Sequence, residues 1–285
     1  MARRSRARGA KGVDARPARE KAARGPSRVG VFVGRAVVVL ALLVAALFAR
    51  AATLPDPAEL AHATPATTAL MDLRARSAEA SKRRWAPRRL VVELDAIAPV
   101  LQQAVVIAED ARFEQHHGLD WLELRASVEK NLEEGRYARG GSTITQQLVK
   151  NLYLGPEKTL LRKLDEALLA ISAERALSKA RILELYLNVV EWGDGVFGVE
   201  AAARHHLGKG AGALEPHEAA LLAAMLPAPR RASLDHPSPG LVARSRRVLT
   251  GLRDARALDA TTYARERERL DRRLGRPIPA DDDDD

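Results

Sequence analysis

A helix begins inside the stretch GGSTITQQLVKN, residues 140–151. Gly140 and Gly141 interrupt the surrounding helical pattern, because glycine continues a helix poorly. Thr143 and Gln146 then follow with the spacing of a capping box, in which each side chain satisfies a backbone N–H group at the start of a helix. The stretch therefore predicts the end of one helical region and the start of another near Thr143.

The sequence on both sides of this stretch is also helical. Ala, Leu, Arg and Glu dominate, and this composition favours helices over sheets. Helix boundaries or apolar residues at helical spacing occur in Pro99–Ala108, Leu161–Ile171, Ile182–Val190, Pro216–Pro227 and Asp259–Leu274. The segment RRLVVEL, residues 88–94, is the best strand candidate. We therefore predict an all-α fold with minor β structure.

The N-terminal region combines a basic tail with an apolar segment. Residues 1–28 hold ten Lys or Arg against Asp14 and Glu20, whereas the remaining chain holds 36 basic and 35 acidic residues. Residues 29–49 are apolar apart from Arg35 and would form a helix of about 31 Å, long enough to cross a membrane. The basic residues in front predict that the N-terminus lies in the cytoplasm.

A cleaved signal peptide is the alternative, because Ala49-Arg50-Ala51 resembles a small-x-small cleavage site. The long basic region favours a retained anchor, and both interpretations export the rest of the chain. We therefore divide the chain into a basic cytoplasmic tail, a transmembrane anchor, a stalk rich in Pro, Ala and Thr, a globular domain, and a charged C-terminal helix with an acidic tail, at residues 1–28, 29–52, 53–87, 88–255 and 256–285.

Composition excludes one group of sites. The chain has no cysteine, so disulfides, thiolate nucleophiles and cysteine-based zinc sites are absent. His116 and His117 are adjacent and would point about 100° apart on a helix, which makes them a poor metal-binding pair. The sequence therefore predicts no protein-built metal site.

Three groups of polar residues could carry chemistry. Glu109 and Asp110 end an apolar helix, and a partly buried carboxylate beside another has the raised pKa that a general base needs at neutral pH. The plainer interpretation is a helix that ends in solvent, and the pattern alone favours it. The Gly-Gly-Ser-Thr stretch could bind an anion at a helix start, or it could be an ordinary capped helix. Arg162 and Glu166, taken alone, indicate an exposed ion pair.

Taken in order, the motifs resemble those of the family-51 peptidoglycan glycosyltransferases. This family includes the glycosyltransferase domains of penicillin-binding proteins and the monofunctional transglycosylases. The patterns EDxxFxxHxG, GGSTITQQ, RKxxE and KxxILExYLN each occur once, starting at Glu109, Gly140, Arg162 and Lys179. The resemblance covers roughly residues 65–250.

The resemblance implies a lysozyme-like helical domain with a smaller membrane-proximal lobe, and an inverting enzyme that polymerises lipid II. It assigns catalysis to Glu109, as the base, and to Glu166, which assists the leaving group or positions a metal. Lys150 and Lys158 match pyrophosphate-binding positions, although relatives often carry arginine at the second. The other expected substrate-binding residues are Asp110, Phe113, His116, Gly141, Ser142, Thr143, Gln146, Gln147, Arg162 and Lys163, and His116 is read as a structural residue of its motif.

The resemblance also implies partners and a location. We expect lipid II and the nascent glycan strand as substrates, a divalent cation (Mg²⁺ or Mn²⁺) as the one candidate cofactor, and the bacterial cytoplasmic membrane as the site of action. The catalytic domain is expected in the periplasm. Cell-wall synthesis or division proteins are expected partners, and nucleic acid is not. The alternatives are a glycan-cleaving lytic transglycosylase on the same fold and a non-enzymatic membrane scaffold.

Overall fold

The structure is a computed structural model that describes residues 28–133 and 141–275. It divides into two units, residues 1–49 and 50–285. Helix α1 (Arg28–Ala52) contains the stretch Phe32–Ala52, which is long and apolar enough to cross a membrane, with a mean hydropathy of 2.5. Its apolar side chains are exposed, Phe32 at 74%. The basic tail before Arg28 and the acidic residues 281–285 lie outside the described residues.

The second unit is built mainly from helices. After α1, the described residues form α2 (Ala69–Ala80), β1 (Arg88–Arg89), α3 (Pro99–Glu109), α4 (Trp121–Glu133), α5 (Ile144–Tyr153), α6 (Leu160–Ala176), α7 (Lys179–Val189), β2 (Glu191–Gly193), β3 (Val196–Phe197), α8 (Val199–Leu207), α9 (Pro216–Met225), α10 (Pro239–Asp254) and α11 (Ala260–Arg273). Short 3₁₀ turns lie at Pro57–Ala61, Leu94–Ala96, Phe113–Gln115 and Ala211–Ala213. This confirms the predicted all-α fold with minor β structure and one N-terminal apolar helix.

The core is organised around α9 and α5. Every residue of α9 from His217 to Met225 is buried, and α3 and α10 pack against this helix. Helix α5 packs against α6 and α7. A helix that is apolar on all sides must be covered on all sides, so α9 lies in the centre of the unit. The position of α3 follows from this packing, and so does the position of Glu109 at its end.

The three strands form one small sheet in the order β1-β3-β2. Strand β1 runs parallel to β3, pairing Arg88 with Val196, and β2 runs antiparallel to β3. Only the first two residues of the predicted segment 88–94 are in a strand, because Asn188 Oδ1 accepts the N–H of Val92 and a 3₁₀ turn begins at Leu94.

Residues 53–87 correct one sequence-based prediction. They were expected to form a stalk, but α2 packs against α5, and Leu60, Met71 and Ala78 are buried. Arg74 also forms an ion pair of 2.6 Å with the buried carboxylate of Glu191. This range is therefore part of the folded unit. Its few apolar residues are spread among Pro, Ala and Thr, so no periodicity marked them as core.

Helix α6 forms where the apolar spacing predicts it, but a different face is buried. Leu161 of the apolar stripe is 57% exposed, and Leu164 is only half-buried. Glu166, which the pattern alone indicated as part of an exposed ion pair, is 2% exposed. The exposed ion pair suggested by the pattern alone is therefore wrong, because Glu166 is buried and both of its carboxylate oxygens are paired with cations.

Candidate active site

Glu109 is the last residue of α3 and projects into a cleft. Its Oε2 accepts a hydrogen bond of 2.8 Å from Nε2 of Gln147, while its Oε1 is buried and has no partner among the described residues. Burial raises the pKa of Glu109, and the Gln147 bond and the positive charges of Lys150 and Arg244 oppose this effect. A carboxylate with a raised pKa can take a proton from a hydroxyl more readily than an exposed one, as a general base must.

Tyr186 fixes the orientation of Gln147. The Tyr186 hydroxyl donates a hydrogen bond of 3.0 Å to Oε1 of Gln147, so Nε2 is the atom left to donate to Glu109. Tyr186 is fully buried, and burial together with the charges of Glu109 and Asp110 raises its pKa well above the ordinary value. The hydroxyl therefore keeps its proton. Tyr186 lies in the fourth motif, but no spacing in the sequence indicates that it contacts Gln147.

Asp110 and His116 form a buried pair behind Glu109. The Asp110 carboxylate accepts the N–H of Ile144, at the start of α5, at 2.9 Å, and His116 Nε2 lies 3.0 Å from both carboxylate oxygens. A carboxylate only accepts, so His116 donates through Nε2. Phe113 is fully buried, with Lys179 Nζ 4.3 Å from its ring centroid. Asp110 and His116 therefore tie the end of α3 to the start of α5, and Phe113 contacts α7.

The start of α5 has the predicted capping box. Thr143 accepts the N–H of Gln146, whose side chain accepts the N–H of Thr143. Thr143 also donates to the carbonyl of Gly118 at 2.7 Å. Gly141, Ser142 and Thr143 line the same cavity as Glu109. Gln146 is buried, and its side chain caps the start of α5.

Three cations surround Glu166. Arg162 Nη1 lies 2.8 Å from its Oε2, Lys163 Nζ pairs with its Oε1, and the Lys163 ammonium also donates to Ser142 Oγ at 3.1 Å. Lys150 is exposed, but the surrounding protein removes enough water to lower the pKa of its ammonium. Glu166 is the strongest charge opposing this effect. Glu109 also acts on Lys150, so the base candidate and this cation cluster belong to one electrostatic site.

Lys158 was expected at the site but forms no hydrogen bond with the cation cluster in the described part of the chain. Arg244 was not expected, and its charge acts on the site. Lys158 is exposed before α6 and forms no ion pair among the described residues. Arg244 on α10 was not predicted as a site residue, yet its charge acts on Glu109. It is more than 130 positions from Glu109 in the sequence, outside the motifs, so only the fold reveals it.

Glu109 borders two cavities. The first, of about 320 Å³, lies against Asp110, Asp120, Ser142 and neighbouring residues. The second, of about 350 Å³, lies between α3, the end of α9, and α10. A base bordered by two cavities can contact groups from two substrates.

The carboxylates near Glu109 do not form a metal-binding cluster. Both Glu166 oxygens are engaged by cations, and the Asp110 oxygens are engaged by His116 and Ile144. The one cluster of suitable spacing in the described part of the chain is Glu215, His217 and Glu218. Its three side chains are already paired with Arg269, Glu266 and Lys209, respectively. The residues present therefore do not fit a resident divalent cation at the candidate active site.

Comparison with known proteins assigns most of the chain to a single family. Residues 76–253 match the transglycosylase family. The chain is 47% identical over 187 residues to a biosynthetic peptidoglycan transglycosylase of Aromatoleum aromaticum, which covers 66% of this chain and 81% of the relative. Similar proteins of the same name from Nitrosospira multiformis and Laribacter hongkongensis are 44% and 49% identical, over 65% and 58% of this chain and 80% and 73% of theirs. Together with the cleft around Glu109, these matches show that the chain belongs to the transglycosylase family.

Proposed function

We propose that this chain is a membrane-anchored peptidoglycan glycosyltransferase that polymerises lipid II into β-1,4-linked glycan strands and releases undecaprenyl pyrophosphate. One observation carries the proposal: the partly buried carboxylate of Glu109 shares an electrostatic site with the cations around Glu166. The first group suits proton removal from a sugar hydroxyl, and the second suits an anionic leaving group.

The reaction begins at Glu109. Its carboxylate accepts the proton of the acceptor sugar's 4-hydroxyl, and the oxygen attacks C1 of the donor sugar from the face opposite the diphosphate. The C1–O bond to the diphosphate breaks, and the configuration at C1 is inverted. Gln147, held by Tyr186, keeps the carboxylate in one orientation at the border of the cavity, where it can take the proton.

Negative charge builds up on the departing diphosphate in this step. Lys150, Arg162 and Lys163 provide preorganised cations that stabilise it, and such stabilisation is usually the largest contribution to catalysis. Glu166 holds Arg162 and Lys163 in place through its two oxygens. We therefore assign Glu166 to positioning the cations, with leaving-group assistance through them.

Two surfaces support a location at the membrane. Phe32–Ala52 can span a bilayer, and the basic residues before it favour a cytoplasmic N-terminus and a periplasmic catalytic domain. Helix α4 also exposes apolar side chains, which is unusual for a water-soluble surface and suits the boundary of a lipid bilayer. These are Trp121, Leu122, Leu124, Val128 and Leu132, between 41% and 77% exposed.

The test is incubation of the full-length chain in detergent with labelled lipid II. Growth of glycan polymer supports the proposal. Breakdown of preformed glycan without growth would instead identify a lytic enzyme, which needs no cations for a diphosphate. A scaffold would do neither.

Glu109→Gln is the decisive variant, because a positioned base contributes about 10²–10⁴-fold to the rate. Glu114→Gln is the matched control, since Glu114 is an exposed glutamate of the following segment. Loss of polymer growth in the first and normal growth in the second supports catalysis by Glu109.

A further inference from the structure

Asp165, the residue before Glu166, is a second buried carboxylate on helix α6. Asp165 is 5% exposed and Glu166 is 2% exposed. A buried carboxylate is stable in its ionised form only when cations or N–H donors satisfy its oxygens. The fold must therefore supply a partner for Asp165 as well as for Glu166.

Arg50 is the partner of Asp165. Both residues belong to the second unit of the chain, and 115 positions separate them in the sequence. The Arg50 guanidinium donates to each carboxylate oxygen, from Nε to Oδ1 at 2.7 Å and from Nη2 to Oδ2 at 2.6 Å. Thr53 Oγ1 accepts a third bond, from Nη1 at 3.3 Å. A two-point contact is the strong form of an arginine–carboxylate pair, so both oxygens of Asp165 are engaged by a residue outside α6.

The neighbouring segment supports this contact. Arg50 lies in the last turn of α1, and the 3₁₀ turn Pro57–Ala61 that follows packs against α6. Leu54, between them, packs against the hydrophobic core. These contacts hold Arg50 beside α6, so that the ion pair forms without further rearrangement.

Without Arg50, Asp165 would have another cation close by. Successive residues of an α-helix are rotated by about 100°, so Arg162 lies about 40° from Glu166 and about 60° from Asp165, between the two carboxylates. Positions three and four apart on a helix are neighbours, and either carboxylate can pair with the same arginine. In the structure Arg162 pairs with Glu166, with Nη1 2.8 Å from Oε2. Asp165 is therefore a potential competitor for a cation of the active site, and Arg50 keeps it occupied.

We propose that Arg50 is a positioning residue: by holding Asp165, it leaves Arg162 paired with Glu166 in the arrangement that binds the departing diphosphate. This proposal rests on the proposed function. Its distinctive consequence is that Arg50 is needed only while position 165 carries a charge. A role in stability alone would instead require the contact between Arg50 and Asp165 itself.

The experiment measures lipid II polymerisation by the full-length chain in detergent. Arg50→Gln should lower kcat/KM about tenfold, the loss expected for one charge-assisted hydrogen bond, because Asp165 then draws Arg162 away from the diphosphate. Arg50→Gln combined with Asp165→Asn should recover to within about threefold of the wild type, because the competitor is gone. A double variant as impaired as Arg50→Gln would overturn the proposal, and so would an unchanged kcat/KM in a folded Arg50→Gln.

Asp165→Asn alone keeps the test decisive if Arg50→Gln fails to fold, which thermal unfolding shows. This variant removes the competitor and spares Arg50, so kcat/KM should stay within about threefold of the wild type. A loss of about tenfold or more would overturn the proposal, because the carboxylate itself would then be needed. Arg272→Gln is the matched control, since Arg272 forms an exposed ion pair of 2.9 Å with Glu268 on α11, and it should leave kcat/KM unchanged.

Binding of inorganic pyrophosphate, measured by calorimetry, makes the same comparison without turnover. Arg50→Gln should weaken binding about tenfold, and the double variant should restore it. This pattern would support the positioning role even if the wild type failed to polymerise lipid II, a failure that would contradict the proposed function alone. A wild type that binds no pyrophosphate, or equal binding by the wild type and a folded Arg50→Gln, would overturn the positioning role.

Discussion

Replacing Glu109 with Gln should abolish activity and at the same time stabilise the protein near neutral pH. The ionised side chain has one oxygen, Oε1, that is buried without a hydrogen-bond partner among the described residues, and burial raises its pKa. Gln at this position keeps an oxygen for the Gln147 amide and removes the buried charge. Strained or unsatisfied groups at active sites commonly cost stability in this way.

The magnitude follows from the contacts. An unsatisfied buried acceptor costs about 1–3 kcal/mol, and more when it is charged. Gln places an unsatisfied but neutral NH₂ at the same position and gives up the attraction of Lys150 and Arg244, so the net gain should be about 1 kcal/mol. For a protein of this size that is about 2–4 °C in Tm.

The gain must depend on pH. An acid whose pKa is raised by folding leaves stability unaffected below its unfolded pKa, about 4.3, and costs stability as pH rises from there to the folded pKa. The advantage of Glu109→Gln should therefore be full at pH 8 and smaller near pH 5.

The assay is thermal unfolding of the full-length chain in detergent, followed by circular dichroism at one scan rate and at both pH values. Glu114→Gln, at an exposed position, should change Tm little at either pH. A lower Tm for Glu109→Gln at pH 8, or an identical gain at both pH values, would refute the reasoning.

Three further variants test the surroundings of the site. Gly118→Ala should lower stability by about 2 kcal/mol or more, because Gly118 has φ +90° and a Cβ would lie 2.9 Å from the Ala170 carbonyl. Gly208→Ala, at φ +72° with open space, should cost only about 1 kcal/mol; thermal unfolding measures both. Tyr186→Phe should lower kcat about tenfold while costing only about 1 kcal/mol of stability, because it frees Gln147 to turn away from Glu109; an unchanged kcat would contradict the proposed chain of hydrogen bonds. Glu166→Gln should lower both the polymerisation rate and Tm, because it leaves the charges of Lys150, Arg162 and Lys163 to repel one another. Added salt should screen this repulsion and recover part of the Tm, and a Tm unaffected by salt would argue against it.

Local signals predicted the helices well and the contacts between them poorly. The capping box at Thr143 involves residues three positions apart, so the sequence alone placed the start of α5 within one residue. The Tyr186–Gln147 bond and the charge of Arg244 on Glu109 join residues far apart in the chain, and no spacing rule reaches across such distances.

Helix α6 illustrates a second limit. Periodicity identifies which side chains are apolar, and it assumes that the apolar face is the buried one. In α6 Glu166 is buried and Leu161 is exposed. An active-site helix departs from the usual pattern because its polar face must point into the protein, where the chemistry takes place.

The most direct test of the central claim is the pH dependence of lipid II polymerisation by the wild-type chain and by Lys150→Gln, with enough enzyme to measure reduced rates. Lys150 favours the ionised form of Glu109, and burial opposes that form. The wild-type rate should therefore fall on acidification at a pH above the ordinary glutamate pKa, and the fall should move to higher pH in Lys150→Gln. An acidic limb at the same pH in both proteins would contradict a base that shares its cleft with the cation cluster.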